Sequence, residues 1–105
     1  MQFSLVYVTV PNEEEASLIS KTLLDEKLAA CVNIFSNSKS YFRWKGKIEV
    51  NSEVSVFIKT KESLVNSVSK KIIELHSYEC PCIISLPITG GNPQFLAWIA
   101  DETSD

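Results

Sequence analysis

The nine residues HSYECPCII, at positions 76–84, hold the chain's single histidine, two of its three cysteines and a glutamate. Imidazole, thiolate and carboxylate are the usual protein ligands of transition metals, and thiolates favour soft ions such as Cu(I). His76, Glu79 and Cys80 are therefore candidate metal ligands. The spacing is not that of a zinc finger, and no second cysteine pair follows. A purely structural reading stands beside the chemical one. A histidine that closes a helix can bond the last carbonyls or answer the helix dipole, and a cysteine in a strand behaves mostly as a small apolar residue. On that reading Cys80, before Pro81, is exposed. Cys82 leads into IISLPI and is buried, and Cys31, in LAACVNI, belongs to the core.

These residues must be held between a helix and a strand. Val65, Val68, Ile72 and Leu75 recur at helical spacing in SLVNSVSKKIIELH, which puts His76 near the helix C-terminus. CIISLPI, residues 82–88, reads as the following strand. Upstream, FSLVYVTV (3–10) is a central strand by its β-branched and aromatic content. Asn12 is a good N-cap with Glu15 as its box partner, and Glu13, Glu14 and Glu15 suit the positive end of a helix dipole. Ala16, Ile19, Leu23 and Leu24 carry that helix to about Lys27. LAACVNIF (28–35) reads as a strand and SNSKS as a polar loop. YFRWKGKIEV then reads as a hairpin turning at Lys45-Gly46, where glycine tolerates positive φ. Asn51 and Ser52 punctuate. EVSVFIKTK (53–61) alternates, with Val54, Val56 and Ile58 on one face and Phe57, Lys59 and Lys61 on the other. Gly90 to Pro93 form a turn, with Asn92 as cap and Pro93 as first residue of a short final helix, PQFLAWIADE.

The order β-α-β-β-α-β-α over residues 1–105 predicts a single α+β domain. Its class is a ferredoxin-like (βαββαβ) sandwich with a β-hairpin extension and a short C-terminal helix. The helices are expected on one sheet face. The other apolar face has no layer long enough to cover it, which predicts self-association.

Composition narrows the function. The net charge is −3 and there is no basic run, so a nucleic-acid partner is not expected. The apolar runs are too short to span a bilayer, so no membrane partner is expected either. The N-terminus lacks the basic, apolar and small-residue regions of a signal peptide, and three cysteines do not make a closed disulfide set. A cytoplasmic location follows as the expectation. The loop after the first strand, TVPNEEE, carries no cysteine pair and no Gly/Arg anion-binding loop, and no serine stands in a nucleophile elbow. No motif supports an enzyme.

Several segments together resemble the CutA family of divalent-cation tolerance proteins. They are VTVPNEEEA (8–16), LLDEKLAACVNI (23–34), SYFRWKGKIE (40–49), EVSVFIKTK (53–61), HSYECPCIISLPI (76–88) and GNPQFLAWIADET (91–103), so the resemblance covers essentially the whole chain. It implies a ferredoxin-like subunit in a tight homotrimer that serves tolerance to copper or other divalent metal ions, bound weakly. It also makes the histidine of H-x-Y-E-x-P a copper-ligand position, here His76. Some relatives carry further ligands at two positions that here hold Leu75 and Val8. The trimer would use Tyr41, Phe42 and Trp44 of the hairpin as contacts, since aromatic side chains bury much area. Trp44, Lys59 and Tyr78, with His76 and Glu79, form the expected ligand cleft. The leading function is thus a homotrimeric, non-enzymatic, copper- or divalent-metal-binding tolerance protein. The alternative is a trimeric signalling or scaffolding module that takes a small ligand or protein at the intersubunit cleft.

Overall fold

Val6, Val8 and Val10, alternate residues of the first strand, are fully buried, and this side of the strand carries the main core. The computed structural model describes all 105 residues. Its elements are β1 (Phe3–Val10), α1 (Glu13–Asp25), β2 (Cys31–Trp44), β3 (Lys47–Lys61), α2 (Val65–Leu75), β4 (Ile83–Ile88) and α3 (Pro93–Glu102). The strands form one sheet in the order β2-β3-β1-β4, with every neighbouring pair antiparallel.

Val54, Val56 and Ile58 of β3 stand opposite Val10, Val8 and Val6. Together they pack on Ala16, Ile19 and Leu23 of α1 and on Val68 and Ile72 of α2. Burying each of these larger aliphatic side chains contributes about 1.5–3 kcal/mol before the cost of ordering the chain. Asn12 caps α1 by accepting the Glu15 N–H at 2.9 Å, and Asn92 caps α3 through the Gln94 N–H at 3.0 Å. Pro93 opens α3, as expected from its missing N–H.

Three expectations are corrected. The strand expected from Leu28 begins only at Cys31. Lys27, at φ 57°, closes α1 in the left-handed conformation, with Leu28 N–H bonded to the Leu23 carbonyl and Lys27 N–H to that of Leu24. This is a Schellman close with lysine in the place glycine usually takes, and residues 28–30 connect it to β2.

SNSKS, expected to be a loop, lies within β2, and Asn51 and Ser52 lie within β3. The register passes from Phe35 opposite Ser55 to Ser38 opposite Glu53, so β2 carries one extra residue, with Asn37 at φ 64°. Such a bulge switches which residues of β2 share a face with β3. Before it, Asn33 and Phe35 share a face with Phe57 and Ser55. After it, Ser40 and Phe42 share a face with Asn51 and Glu49.

The helices are not all on one face. Ile99 of α3 packs with Phe3 and Ala30, flanked by Leu96 and Ile88. Phe3 alternates with the buried valines of β1, so α3 covers one end of the opposite face. The rest of that face keeps apolar side chains in solvent: Phe35 is 59 % exposed, Ile84 52 % and Leu86 45 %.

Candidate functional site

β1 ends at Val10, opposite Val54. Beyond that point β2 and β3 continue as a two-stranded ribbon, and Glu53 stands at the corner where the ribbon leaves the sheet. The connection from α2 to β4 folds back over the same corner. Between them lies a cleft of about 620 Å³. Phe42, Trp44, Glu49 and Glu53 form its ribbon wall, Tyr7 and Thr9 its sheet floor, and Tyr78, Glu79, Cys80 and Cys82 its connecting wall.

His76 lies behind that connecting wall. It is the C-cap of α2, its N–H bonded to the Ile72 carbonyl at 2.8 Å, and its side chain is fully buried. Its ring does not turn back to the helix carbonyls. Nε2 reaches the Thr9 carbonyl at 2.8 Å, and Nδ1 accepts the Tyr78 N–H at 3.0 Å. Both ring nitrogens are therefore used, and the bonds fit the Nε2–H tautomer. Glu15 Oε2 lies 3.3 Å from Nδ1 and accepts the Ser77 N–H at 3.2 Å. One histidine thus ties the end of α2 to the end of β1, and Glu15 of α1 holds the next residue.

Tyr78 packs on His76, with ring centroids 4.7 Å apart, and its hydroxyl donates to Glu53 Oε2 at 2.7 Å. Burial pushes the Tyr78 hydroxyl well above the usual tyrosine range, and the Glu53 and Glu15 carboxylates push it the same way. The hydroxyl of Tyr7, on the cleft floor, lies 3.0 Å from that of Ser55.

Of the residues expected from sequence, Trp44, Tyr78, Glu79 and Cys80 meet in the cleft, and His76 supports it from behind. Lys59 is elsewhere. Its ammonium donates to Asn33 Oδ1 at 2.8 Å and sits 5.5 Å from the centre of the Phe95 ring. Cys82 is exposed, not buried, because it precedes β4 and lines the cleft. Cys31 is half-buried rather than core, since it faces Lys59 on the side away from the main cluster. No three of the histidine, cysteine, aspartate and glutamate side chains converge as a metal-ligand group. Glu53, Glu15 and Thr9 belong to the site beyond the residues expected from sequence. Glu53 had a signal: it is out of phase with Val54, Val56 and Ile58 and in phase with Ser55 and Phe57. Glu15 had none, because its place in the helix start already accounted for it.

No helix is long and apolar enough to cross a membrane. A family model described as CutA1 divalent ion tolerance protein matches residues 4–102. A divalent-cation tolerance protein CutA from Archaeoglobus fulgidus is 47% identical over 100 residues, covering 95% of this chain and 96% of that protein. A chloroplastic CutA protein from Oryza sativa is 41% identical over 96% of this chain, and one from Arabidopsis thaliana is 41% identical over 94%. The chain spans only 57% and 54% of those two plant relatives. Among solved structures, the CutA1 crystal structure from Oryza sativa superposes with a TM-score of 0.97 at 39% identity, covering 100% of this chain and 96% of that one. The A. fulgidus protein, described as periplasmic, superposes at 0.92 with 44% identity, covering 95% and 97%.

Proposed function

The chain belongs to the CutA1 divalent ion tolerance protein family, and from that membership we propose that it is a homotrimeric, cytoplasmic, non-enzymatic tolerance protein that binds copper or another divalent metal ion. Family membership over residues 4–102 is the observation that carries this reading. The subunit is a single domain of ferredoxin-like type, supported by the β2-β3-β1-β4 antiparallel order with α1 and α2 as crossovers. Self-association is supported by the open sheet face, where Phe35, Ile84 and Leu86 remain in solvent.

The metal ion is cargo in this reading. Glu79 and Cys80 reach a solvent-open cleft, with Cys82 beside them, and offer carboxylate and thiolate donors. His76 joins them as a ligand only by giving up one of its ring bonds, that of Nδ1 to the Tyr78 N–H or that of Nε2 to the Thr9 carbonyl. Otherwise its part is to hold the connection that carries Glu79 and Cys80. Titration of reduced protein with Cu(I) and Cu(II), with native mass recorded alongside, tests the reading. Saturable binding by a trimer is expected, weakened about tenfold or more in Cys80→Ser and Glu79→Gln, as loss of a charged or soft donor requires. Binding unchanged in both variants and in His76→Ala overturns the site.

A second reading has its own support. A cleft of about 620 Å³ with Tyr7, Phe42 and Trp44 in its walls is of the size and lining that take small organic ligands. The protein is then a trimeric module whose signal is occupancy of the cleft.

A further inference from the structure

The second reading leaves the ligand without a class, and the charge of the cleft supplies one. We propose that the cleft binds a small organic cation, an ammonium group carried on an aromatic or apolar body. The inference rests on the cleft reading and not on metal binding.

Glu53 is the main observation. It is only 8 % exposed, and the Tyr78 hydroxyl on Oε2 is the one hydrogen bond its carboxylate receives. No lysine, arginine or histidine forms an ion pair with it. Oε1 receives no hydrogen bond within the chain and is not fully buried, and Glu53 lines the cleft. A carboxylate with so little solvent contact, one neutral donor and no cation of the chain beside it is a ready partner for an opposite charge. Glu49 and Glu79 add two more carboxylates to the lining, and no cationic side chain lines the cleft. Lys47 stands opposite Trp44 at the ribbon tip but outside it.

The walls decide between kinds of cation. A hard divalent ion needs about six oxygen donors packed around a point, and the glutamates here do not converge that way. An ammonium with an organic body spreads its demands. Its charge is attracted to aromatic faces within about 6 Å of the ring centre as well as to carboxylates. Tyr7, Phe42, Trp44 and Tyr78 present four aromatic rings to the space that the three glutamates border. Ser40, Thr9 and Asn51 supply neutral polar atoms between them. The bulge in β2 is what makes this possible, since it puts Phe42 and Trp44, in place of Tyr41 and Arg43, on the glutamate side of the ribbon.

The test uses the intact assembled protein and two probes of nearly the same shape, 2-phenylethylamine, cationic at neutral pH, and neutral 2-phenylethanol. Binding is followed by calorimetry and by Trp44 fluorescence, with Trp44→Leu identifying the responding tryptophan. The amine is expected to bind at least about tenfold more tightly than the alcohol, the scale of one desolvated cation–π or charge contact. Glu53→Gln keeps an acceptor for Tyr78, and circular dichroism checks its fold. It is expected to remove that preference. Equal binding of both probes, insensitive to Glu53→Gln, overturns the cation assignment and leaves an apolar cleft. Absence of binding by either probe overturns the cleft reading with it. A copper titration on the same samples reports on the metal reading separately.

Discussion

The two faces of the sheet are built from the same strands and meet opposite fates. On one, Val6, Val8, Val56 and Ile58 are fully buried under α1 and α2. On the other, Leu5 and Tyr7 pair laterally with Lys59, Phe57, Leu86 and Ile84, yet only α3 at one end covers the row. The first face closes within the chain and gives it stability. The second spends its residues on outward business: an apolar field, and at the far end a cleft with an acidic, aromatic lining. The difference teaches that alternation in a strand need not mean core against solvent. It can mean core against a surface reserved for something else.

The largest expected effect lies on the closed face. Ile58→Ala removes a fully buried side chain between α1 and the sheet, and chemical denaturation should show a loss of about 2–5 kcal/mol. A loss near zero would mean that this face is not the stabilising one. At the seam between sheet and cleft, Tyr78→Phe leaves Glu53 without its donor and should cost about 1–2 kcal/mol. The same variant changes the alkaline limb. The Tyr78 hydroxyl is raised above its ordinary 10.0, so the folded state holds its proton where the unfolded state releases it. That contribution is complete below pH 10 and falls away as pH climbs beyond it. Wild-type stability should therefore drop above pH 10 more steeply than that of Tyr78→Phe, measured by urea midpoints across pH. At the helix start on the closed side, Asn12→Ala should cost about 1 kcal/mol by loss of the cap. The smallest effect on folding belongs to the open face. Leu86→Lys should alter the stability of the single subunit by no more than about 0.5 kcal/mol. On the proposed trimer, its native mass should nevertheless shift toward monomer, and an unshifted mass would detach assembly from this face.

Much of the closed face was legible in the sequence. Val54, Val56 and Ile58 keep strict period two, Val68 and Ile72 keep helical spacing, and Asn12, Asn92 and Pro93 carry their own signals. The open face is less legible, for physical reasons. Asn37 in the left-handed conformation and one extra residue in β2 interrupt the alternation, so a bulged strand looked like a polar loop. Lys27 closes α1 where a glycine would announce the end, so the sequence carries no sign that the next strand waits until Cys31. The cleft was half visible. Trp44, Tyr78, Glu79 and Cys80 fall within it, but Lys59 shares the open face without reaching that end. Glu53 and Glu15 act through partners distant in sequence, and no local pattern encodes such pairings.

The ribbon formed by residues 36–52 has a consequence in time. The molecule extends 44 × 25 × 22 Å, and in this segment each strand has only the other for a neighbour. A lone two-stranded ribbon is marginal in water. Its amides should therefore exchange with solvent by local opening in a single subunit, while those of β1, flanked on both edges, wait for the whole subunit to unfold. One wall of the cleft thus breathes on a faster clock than its floor, and anything that settles against Trp44 should slow that clock before it changes any other part of the chain.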